Sequence, residues 1–481
     1  MKKKEIVLVY PPISPGNKPF YSMPPLGVTF LATMLKPLGQ DPAVIDAEHE
    51  GLDVNTVVQR VTAFAPHVVG ISVMTPVYAT ALKIASGIKK ASKGIIICLG
   101  GSHVSATVAE TFKHSPDVDY LFLGESEKSF FDFCKNGYKA SDSIDGIVYR
   151  GTAEPVIKPK KQFIECLDNL PYPDFGLIDK FKIGSYRIPY SNKAVFLPMM
   201  AGRGCPHKCL FCSVHTIHGK NLRMRSPANV LEEIKQLNEK FKAAYIVFKD
   251  SSLTADRLWL EQFCALLKES KLRINWRCNA RPDEVGPHVL KMMKDAGCHL
   301  ITYGLESGSD RILVEINKGN TVEDNKKAVF LTHKAGILAH CIYIIGSPSE
   351  SIESINDTIR LAARVNSLFA QFCKGIAYPG NGFYDWGIKH NVLKDRFWYV
   401  NERPVFKESF VIDPNIGGGL SLDGIDQEAW IRRATLRYYL RPKYFFRFIS
   451  TCFMNPYLLF NAVLVISSVV TWIKKKKIIC G

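Results

Sequence analysis

The sequence lacks the patterns of a secreted, repetitive or disordered protein. The segment MKKKEIVLVYPP (1–12) does not have a signal-peptide pattern, because its apolar run has only the length of a strand and then meets two prolines. The 13 cysteines show no disulfide-framework spacing, and their odd number fits a reduced compartment. There is no internal repeat, and apolar residues make up 47% of the chain. We therefore expect a globular, cytoplasmic protein.

Acidic residues are too few to balance the basic ones, and the net charge is +17. The basic residues are not gathered into a basic–aromatic module that reads bases, so we expect no nucleic-acid partner. The run PYLLFNAVLVISSVVTWI (456–473) is followed by KKKK (474–477). Since a bilayer span needs about 20 apolar residues, this run is short for one. An interfacial membrane contact through residues 441–477 is therefore at least as well supported as a true span, and a C-terminal helix packed on the protein is the alternative to both.

Residues 5–135 alternate short β-branched runs with helical patterns. The predicted strands are EIVLVY (5–10), PAVIDAE (42–48), HVVGISVM (67–74), GIIICLG (94–100) and DYLFLG (119–124). The predicted helices are 25–38, 53–64, 77–92, 103–113 and 126–135. Apolar strands with helical crossovers predict a doubly wound, flavodoxin-like parallel sheet. Such sheets bind ligands beyond the carboxyl ends of their strands.

A second alternation begins near residue 196. The predicted strands are AVFLPMM (194–200), AYIVFKD (244–250), RINWRCNA (273–280), HLITYGL (299–305), LAHCIYIIG (338–346) and FAQFCKGIAY (369–378). The predicted helices are 226–240, 256–270, 287–296, 321–335 and 351–366. Six β/α units predict a partial (β/α)6 barrel with its chemistry at the C-terminal ends of the strands.

These patterns divide the chain into four regions. A doubly wound domain covers 1–139, and a connector with a hairpin pattern, DGIVYRGTAEPVI (145–157), covers 140–195. The partial barrel covers 196–385. A mostly helical C-terminal region with the apolar and basic tail covers 386–481.

The segment GRGCPHKCLFC (202–212) holds three cysteines in eight positions, directly after the first predicted barrel strand. Thiolates bind soft metals and iron–sulfur clusters. A structural zinc site normally takes four ligands from two separated pairs, so zinc would require His215 as the fourth ligand. The spacing favours a [4Fe–4S] cluster in which Cys205, Cys209 and Cys212 hold three irons and the fourth iron stays open.

Cys-x3-Cys-x2-Cys with an aromatic residue before the third cysteine, followed by RMRSP (223–227), resembles the radical S-adenosylmethionine (SAM) superfamily. In that family the open iron binds SAM, and the reduced cluster cleaves it to a 5′-deoxyadenosyl radical. Later segments also match: FKDSSLT (248–254), WRCNARPD (276–283), TYGLESGSDRIL (302–313), IIGSPSES (344–351) and YPGNGFY (378–384). The resemblance implies that SAM is contacted by Phe211, Arg281, Glu306, Gly346 and Glu350. FKDSSLT departs from the family because Asp250 and Ser251 replace the usual acidic pair.

A doubly wound domain ahead of such a barrel resembles the cobalamin-binding radical SAM proteins. The matching pieces are YPP (10–12), PPLGVTFLATML (24–35), GISVMTPVY (70–78), LGGSHVS (99–105) and FLGESEKSF (122–130). The resemblance implies that cobalamin is contacted by Ser72, Thr75, Gly100, Gly101, Gly124 and Glu125. The alternative is that these glycines only form strand-to-helix turns.

The sequence departs from cobalamin modules that carry Asp-x-His-x-x-Gly after the first strand. The corresponding loop, PPISPGNKPFYSMPPLG (11–27), has no histidine. DAEHEG (46–51) has Glu48 at the histidine position and follows a different strand. We therefore expect cobalamin without a histidine lower ligand from this motif, or else a domain that has lost cobalamin.

Together the resemblances imply a cobalamin-dependent radical SAM enzyme that methylates an unactivated carbon and uses SAM twice, for the methyl group and for the radical. Oxidative cyclisation of the kind performed by anaerobic magnesium-protoporphyrin monomethyl ester cyclase is the alternative. A non-catalytic zinc- or nucleic-acid-binding protein is a more remote one. A methylthiotransferase is disfavoured, because a second cluster would need three more grouped cysteines and residues 1–150 contain only Cys98 and Cys134.

The resemblance also implies an electron donor of the flavodoxin or ferredoxin type. The C-terminal tail suggests a hydrophobic or lipid-like small-molecule substrate. Four other cysteines lie in apolar patterns and are expected in the core: Cys98, Cys264, Cys298 and Cys341. The sequence identifies no catalytic base and no radical-quenching residue.

Overall fold

The structure is a computed structural model of the chain. The residues that it describes are 3–19, 21–152, 154–178, 183–188, 195–393, 395–400, 418–420, 422 and 424–454. The predicted apolar run 456–473 and the KKKK segment therefore lie outside the described residues.

The first sheet contains the five strands predicted near the N-terminus and two more. The strands are β1 (Ile6–Tyr10), β2 (Ala43–Asp46), β3 (Val68–Ser72), β4 (Ile96–Gly100), β5 (Tyr120–Phe122), β6 (Ile147–Arg150) and β7 (Pro155–Ile157). Their order is β2–β1–β3–β4–β5–β6–β7, and the first five are parallel. The predicted flavodoxin-like doubly wound sheet is confirmed.

Helices cover both faces of this sheet because its strands are apolar on both sides. The helices are α1 (Leu26–Met34), α2 (Ala47–Glu50), α3 (Val54–Ala63), α4 (Tyr78–Ala91), α5 (Ser102–Ala106), α6 (Val108–His114) and α7 (Glu127–Lys135). Val7 and Val9 pack into one core, whereas Ile6 and Leu8 pack into another on the opposite face.

One predicted helix, 103–113, is instead two short ones. Thr107 leaves the helical conformation with φ −130° and ψ 44°, and its hydroxyl donates a hydrogen bond of 2.8 Å to the His103 carbonyl. A β-branched residue that bonds to the backbone in this way competes with the helix.

The connector extends the first sheet further than the sequence analysis predicts. The hairpin pattern forms the antiparallel strands β6 and β7, and β6 pairs antiparallel with β5. Residues 147–157 of the connector therefore belong to the N-terminal sheet. Later connector residues also contact it: the Tyr186 hydroxyl donates to Asp46 at 2.7 Å, and Ser185 lies 2.6 Å from His49 Nε2.

The second sheet has six parallel strands in the order expected of an open barrel. They are β8 (Phe196–Met199), then after the hairpin strands β9 (Gly202–Arg203) and β10 (Arg223–Met224), β11 (Tyr245–Phe248), β12 (Asn275–Ala280), β13 (Cys298–Glu306), β14 (Leu338–Ile345) and β15 (Phe369–Lys374). The six-stranded sheet runs β15–β14–β13–β12–β11–β8, with β9 and β10 paired separately. The predicted partial barrel is confirmed, although β15 stops at Lys374 rather than at 378. Gly375 follows at once, where an added Cβ would lie 2.4 Å from the Gly346 carbonyl oxygen.

Helices surround this barrel and continue into the C-terminal region. They are α8 (His215–His218), α9 (Pro227–Phe241), α10 (Arg257–Glu269), α11 (Pro287–Asp295), α12 (Asp310–Glu315), α13 (Val322–Lys334), α14 (Ile352–Val365), α15 (Gly382–Lys389), α16 (Gln427–Tyr439) and α17 (Pro442–Met454). Buried side chains in this region include Cys264, Cys298 and Cys341, as predicted. None of the helices formed by the described residues combines the length and apolar composition that crossing a bilayer requires.

Candidate functional site

The three clustered cysteines lie on the loop between β9 and α8, close to the C-terminal end of β8. Backbone hydrogen bonds fix this loop: Leu210 N donates to the Ile316 carbonyl at 2.9 Å, and Phe383 N donates to the Leu210 carbonyl at 3.2 Å. The Asn381 side chain also donates to the Phe211 carbonyl at 3.0 Å. Segments that follow β13 and β15 therefore hold one short loop in place.

The thiols of Cys205, Cys209 and Cys212 are half-buried, which leaves them reachable for a ligand. Burial raises the pKa of the Cys209 and Cys212 thiols, while the positive charges of Lys318 and Arg281 act to lower that of Cys209. In the described part of the chain, no group of three or more His, Cys, Asp or Glu side chains is arranged so that it could hold a metal ion. Three thiols on one loop are nevertheless a donor set suited to a soft metal or an iron–sulfur cluster.

A zinc site on this loop would need His215 as its fourth ligand, but the Nε2 atom of His215 is engaged in a hydrogen bond. This nitrogen donates a hydrogen bond of 2.8 Å to the carbonyl oxygen of Cys205. His215 therefore supports the backbone of the cysteine loop through that atom.

Three of the residues assigned to SAM lie around the cysteine loop. Arg281 Nη1 is 3.8 Å from the Cys209 sulfur, and its Nη2 donates 2.6 Å to the Lys318 carbonyl. Glu306 ends β13 in the left-handed region, with φ 58°, and forms a buried ion pair of 3.0 Å with Lys318 Nζ. The same Lys318 ammonium lies 5.6 Å from the centre of the Phe211 ring.

The other two assigned residues form the turn after β14. Glu350 Oε2 accepts backbone hydrogen bonds from Gly346 (2.5 Å) and Ser347 (3.1 Å), and burial raises the pKa of this carboxyl to about 7. Gly346 has φ 103°, and the Gln427 side chain packs against its Cα. Among the described residues, Glu350 Oε1, Ser347 Oγ and Gln427 Oε1 are buried and have no hydrogen-bond partner. Such orphaned polar atoms suit a ligand with hydroxyl or amino groups.

A cavity of 370 Å³ lies between the carboxyl edge of the first sheet and the start of the barrel. This volume is typical of small-molecule sites. Five of the residues assigned to cobalamin line it: Ser72, Gly100, Gly101, Gly124 and Glu125. Thr75 is buried next to them, with its hydroxyl 3.1 Å from His103 Nδ1.

The wall on the barrel side is formed by Met200, Arg203, Ile217, His218 and Lys249. The cavity therefore touches the cysteine loop region and the N-terminal sheet at once. Its deeper part is apolar, because side chains of the first sheet and of α1 and α7 surround it, among them Leu8, Leu26, Phe30, Phe122 and Phe130.

The glycines of this cavity differ in what they do for the fold. Gly101 has φ 113°, and a Cβ there would lie 2.5 Å from the Val73 carbonyl oxygen, so the fold itself requires glycine. A Cβ at Gly100 would make only ordinary contacts, the nearest at 3.6 Å to the Phe122 carbonyl oxygen. Gly100 therefore keeps cavity space open without being needed for packing.

Glu125 joins the two halves of the molecule. Its carboxylate is fully buried and accepts hydrogen bonds from Arg223 (2.6 and 3.0 Å), His218 Nδ1 (3.0 Å) and the backbone N–H of Ile164 (3.1 Å). Burial would raise the pKa of Glu125, but the hydrogen bonds from His218 and Arg223 and the charge of Arg203 outweigh it and lower the pKa to about 2. The structure thus gives this residue a structural role at the cavity rim.

Sequence reasoning missed three polar residues of the site. Lys318 pairs with Glu306, Asn381 holds the Phe211 carbonyl, and Lys249 faces the cavity. Lys318 and Asn381 lie in loops that follow barrel strands. This position in the sequence could have indicated that they belong to the site, because the site residues of such barrels lie at the C-terminal ends of the strands. Glu48, which stands at the histidine position of DAEHEG, accepts from the Ile13 N–H at 2.6 Å and lies outside the cavity lining.

Comparison with known proteins agrees with this architecture. Residues 199–362 match the model of the radical SAM superfamily, and residues 16–133 match that of the B12 binding domain. An uncharacterised methyltransferase of Pyrococcus horikoshii is 30% identical over 449 residues, covering 92% of this chain and 94% of that protein. The chain belongs to the radical SAM family that carries a B12-binding domain. It is therefore an enzyme.

Other relatives of this radical SAM protein have more specific names. The anaerobic magnesium-protoporphyrin IX monomethyl ester cyclase of Rubrivivax gelatinosus is 28% identical, covering 77% of this chain and 67% of that one. A structure of the radical SAM methyltransferase TsrM from Kitasatospora setae, with cobalamin and [4Fe-4S] cluster bound, superposes with a TM-score of 0.68. That match is 16% identical and covers 92% of this chain and 90% of TsrM, so it shows the shared fold.

We predict that Glu125→Gln destabilises this radical SAM protein by about 3 kcal/mol at pH 7, because the substitution leaves the largely buried Arg223 without its counter-ion. The difference should shrink as pH falls below about 5, since the wild-type carboxylate then takes up a proton in the unfolded chain, where its pKa is near 4.5, but not in the folded one. Urea unfolding at pH 7, 5 and 4 measures this.

Glu323→Gln is the matched control, because Glu323 forms an exposed ion pair with Lys326. Its effect should stay within about 1 kcal/mol. Equal effects of the two substitutions would contradict the structural role of Glu125.

Proposed function

We propose that this protein is a cobalamin-dependent radical SAM methyltransferase that acts on an unactivated carbon. The observation that carries the proposal is the cavity shared by the carboxyl edge of the B12-binding match and the start of the radical SAM match. Methyl transfer from a corrinoid to a carbon radical requires both cofactors to reach one substrate. A cavity bounded by both domains suits that requirement.

The chain's own residues have separate tasks in this proposal. Cys205, Cys209 and Cys212 hold a [4Fe–4S] cluster, and Arg281 and Lys318 supply positive charge beside it. When bound, the cluster supplies the electron that cleaves SAM, and the corrinoid supplies the methyl group. An electron donor of the flavodoxin or ferredoxin type reduces the cluster.

The residues proposed to contact SAM fall into two groups. Phe211, Arg281 and Glu306 lie next to the cysteine loop, where Glu306 is already oriented by Lys318. Gly346 and Glu350 form the turn after β14, where Glu350 Oε1 has no partner in the described part of the chain and could accept a hydrogen bond from a ribose or amino group.

The residues proposed to contact cobalamin are Ser72, Thr75, Gly100, Gly101, Gly124 and Glu125. Most line the cavity, and its apolar depth fits the flat heterocycle of a corrinoid nucleotide tail. We propose that cobalt receives no histidine from an Asp-x-His-x-x-Gly motif. His218 lines the cavity from the barrel side, and its Nδ1 is bound to Glu125.

We expect the anaerobic protein to bind about four irons and four sulfides per chain and to form 5′-deoxyadenosine from SAM in the presence of a reductant. Cys209→Ala should abolish that product, because two thiolates cannot hold the cluster in place. Cys166→Ala is the control, since Cys166 is exposed and lies outside the cysteine loop. A wild-type protein that binds one zinc and no sulfide would contradict the proposal.

Oxidative cyclisation is the alternative, because a protein of that name is among the relatives. SAM with a labelled methyl group separates the two reactions. Label recovered in the product supports methyl transfer, and a dehydrogenated product without label supports cyclisation.

We predict that Gly100→Ala weakens cobalamin binding at least tenfold while changing the thermal midpoint by less than about 2 °C. The added methyl group fills cavity space but meets no close neighbour. Gly101→Ala should instead lower the midpoint strongly, because it clashes with the Val73 carbonyl and requires a positive φ. Equal cobalamin affinity in wild type and Gly100→Ala would place the corrinoid elsewhere.

We also propose that the protein contacts anionic membrane surfaces through its C-terminal region. One face of α17 packs on the barrel through Phe448 and Cys452. Phe446 and Phe453 lie on the opposite face and are exposed at 71% and 83%, and Phe445 near the start of the helix is exposed at 59%. Aromatic side chains beside basic residues suit a headgroup interface, and a membrane-delivered, hydrophobic substrate would fit such a location.

Vesicle co-sedimentation tests this contact. Wild type should bind vesicles that contain phosphatidylglycerol more strongly than neutral phosphatidylcholine vesicles, and Phe446→Ser with Phe453→Ser should weaken binding at least fivefold. Phe330→Ser, at another exposed phenylalanine (66%), is the control. Binding that is unchanged by the double substitution would contradict the proposal.

A further inference from the structure

The guanidinium group of Arg281 contacts a sulfur atom of the cysteine loop. Arg281 directly follows β12 and is buried, with 6% of its surface exposed. Its Nη1 lies 3.8 Å from the Cys209 sulfur, within the range of an N–H···S hydrogen bond. A hydrogen bond to a cluster ligand is a task separate from the contact with SAM that the family resemblance implies.

The other edge of the guanidinium group is bound in a way that fixes its orientation. Nε donates to Asp283 Oδ1 at 3.0 Å, and Nη2 donates to Asp283 Oδ2 at 2.8 Å, so that one carboxylate holds two donors. Nη2 also donates to the Lys318 carbonyl at 2.6 Å. Because Nε and Nη2 are engaged on one edge of a planar group, Nη1 on the opposite edge is the donor that faces the sulfur.

The segment that carries Arg281 is attached to the cysteine loop at a second point. Glu284 Oε1 lies 3.2 Å from Nε2 of His207, a residue between the first two cysteines of the loop. Glu284 Oε2 is itself held by the hydroxyl groups of Thr254 (2.5 Å) and Ser252. Two contacts on neighbouring turns of one segment therefore keep the guanidinium group and the sulfur together.

A hydrogen bond to a ligand sulfur affects how readily an iron–sulfur cluster is reduced. Reduction adds one electron, and therefore negative charge, to a cluster held by thiolates. A positively charged donor at the sulfur stabilises the reduced state more than the oxidised state and raises the reduction potential. Asp283 offsets this charge only in part, because it lies on the far edge of the guanidinium group and its side chain is 31% exposed to screening water.

We propose that Arg281 raises the reduction potential of the cluster held by Cys205, Cys209 and Cys212, through its hydrogen bond to the Cys209 sulfur. This inference rests on the proposed function, because it requires the cluster. One electron passes from the donor of the flavodoxin or ferredoxin type, which is oxidised, to the cluster, which is reduced. No bond to Arg281 forms or breaks, and the arginine makes the cluster a better acceptor.

The test is a redox titration of the anaerobic holoprotein with cluster and cobalamin but without SAM, followed by the electron paramagnetic resonance signal of the reduced cluster. Arg281→Met should lower the potential by at least about 59 mV, which is a tenfold change in the equilibrium constant of a one-electron couple. Arg257→Met is the control, because Arg257 forms an exposed ion pair with Glu261 on α10. Its potential should equal that of wild type.

Iron and sulfide analysis separates this effect from a merely structural role. Arg281→Gln removes the charge but keeps an amide donor for the Lys318 carbonyl, so it should retain the cluster and shift the potential in the same direction as Arg281→Met. If neither variant retains iron and sulfide, Arg281 is needed to build the loop and the inference is wrong.

The dissociation constant of SAM separates the effect from a role in SAM binding. Calorimetry with wild type and Arg281→Gln measures it. If the constant rises while the SAM-free potential stays unchanged, Arg281 acts on SAM alone and the inference is contradicted. A lowered SAM-free potential supports the inference whether or not SAM binding also weakens.

Failure of the inference and failure of the proposed function give different results. Equal potentials in wild type and the Arg281 variants contradict the inference, while 5′-deoxyadenosine formation by wild type still supports the proposed function. A wild-type protein without a four-iron cluster contradicts the proposed function itself and the inference with it.

Discussion

The buried carboxylate of Glu125 is the interaction on which the functional architecture depends. It comes from the loop after the fifth strand of the first sheet and accepts hydrogen bonds from two residues of the barrel, Arg223 and His218. Since the carboxyl ends of both sheets carry their ligand-binding loops, this contact brings two loop regions to one cavity. A single ionic cluster thus determines how the cavity wall is assembled.

The sequence predicted the secondary structure and both sheets well, because apolar strands that are buried on both faces give strong and unambiguous patterns. The spacing of Cys205, Cys209 and Cys212 indicated the radical SAM family for a similar reason, because three cysteines on one short loop leave a local signature. Thr107 shows the limit of such patterns. Its residue type fits a helix interior poorly, but only the hydroxyl contact to the His103 carbonyl reveals that the helix is interrupted.

Long-range electrostatics could not be derived from the sequence. The ion pair of Arg203 with Glu127 joins residues of two different domains, and that of Lys318 with Glu306 joins the loop after α12 to the end of β13.

The two adjacent glycines at the end of β4, Gly100 and Gly101, differ in which substitutions the fold would accept in related chains. The backbone at Gly101 would exclude larger residues even in a domain that had lost its cofactor. Glycine at this position in a related chain therefore indicates the same fold and not the presence of the cofactor. The neighbouring Gly100 is under no such backbone demand. A bulky residue at that position in a relative would therefore narrow the cavity without straining the backbone.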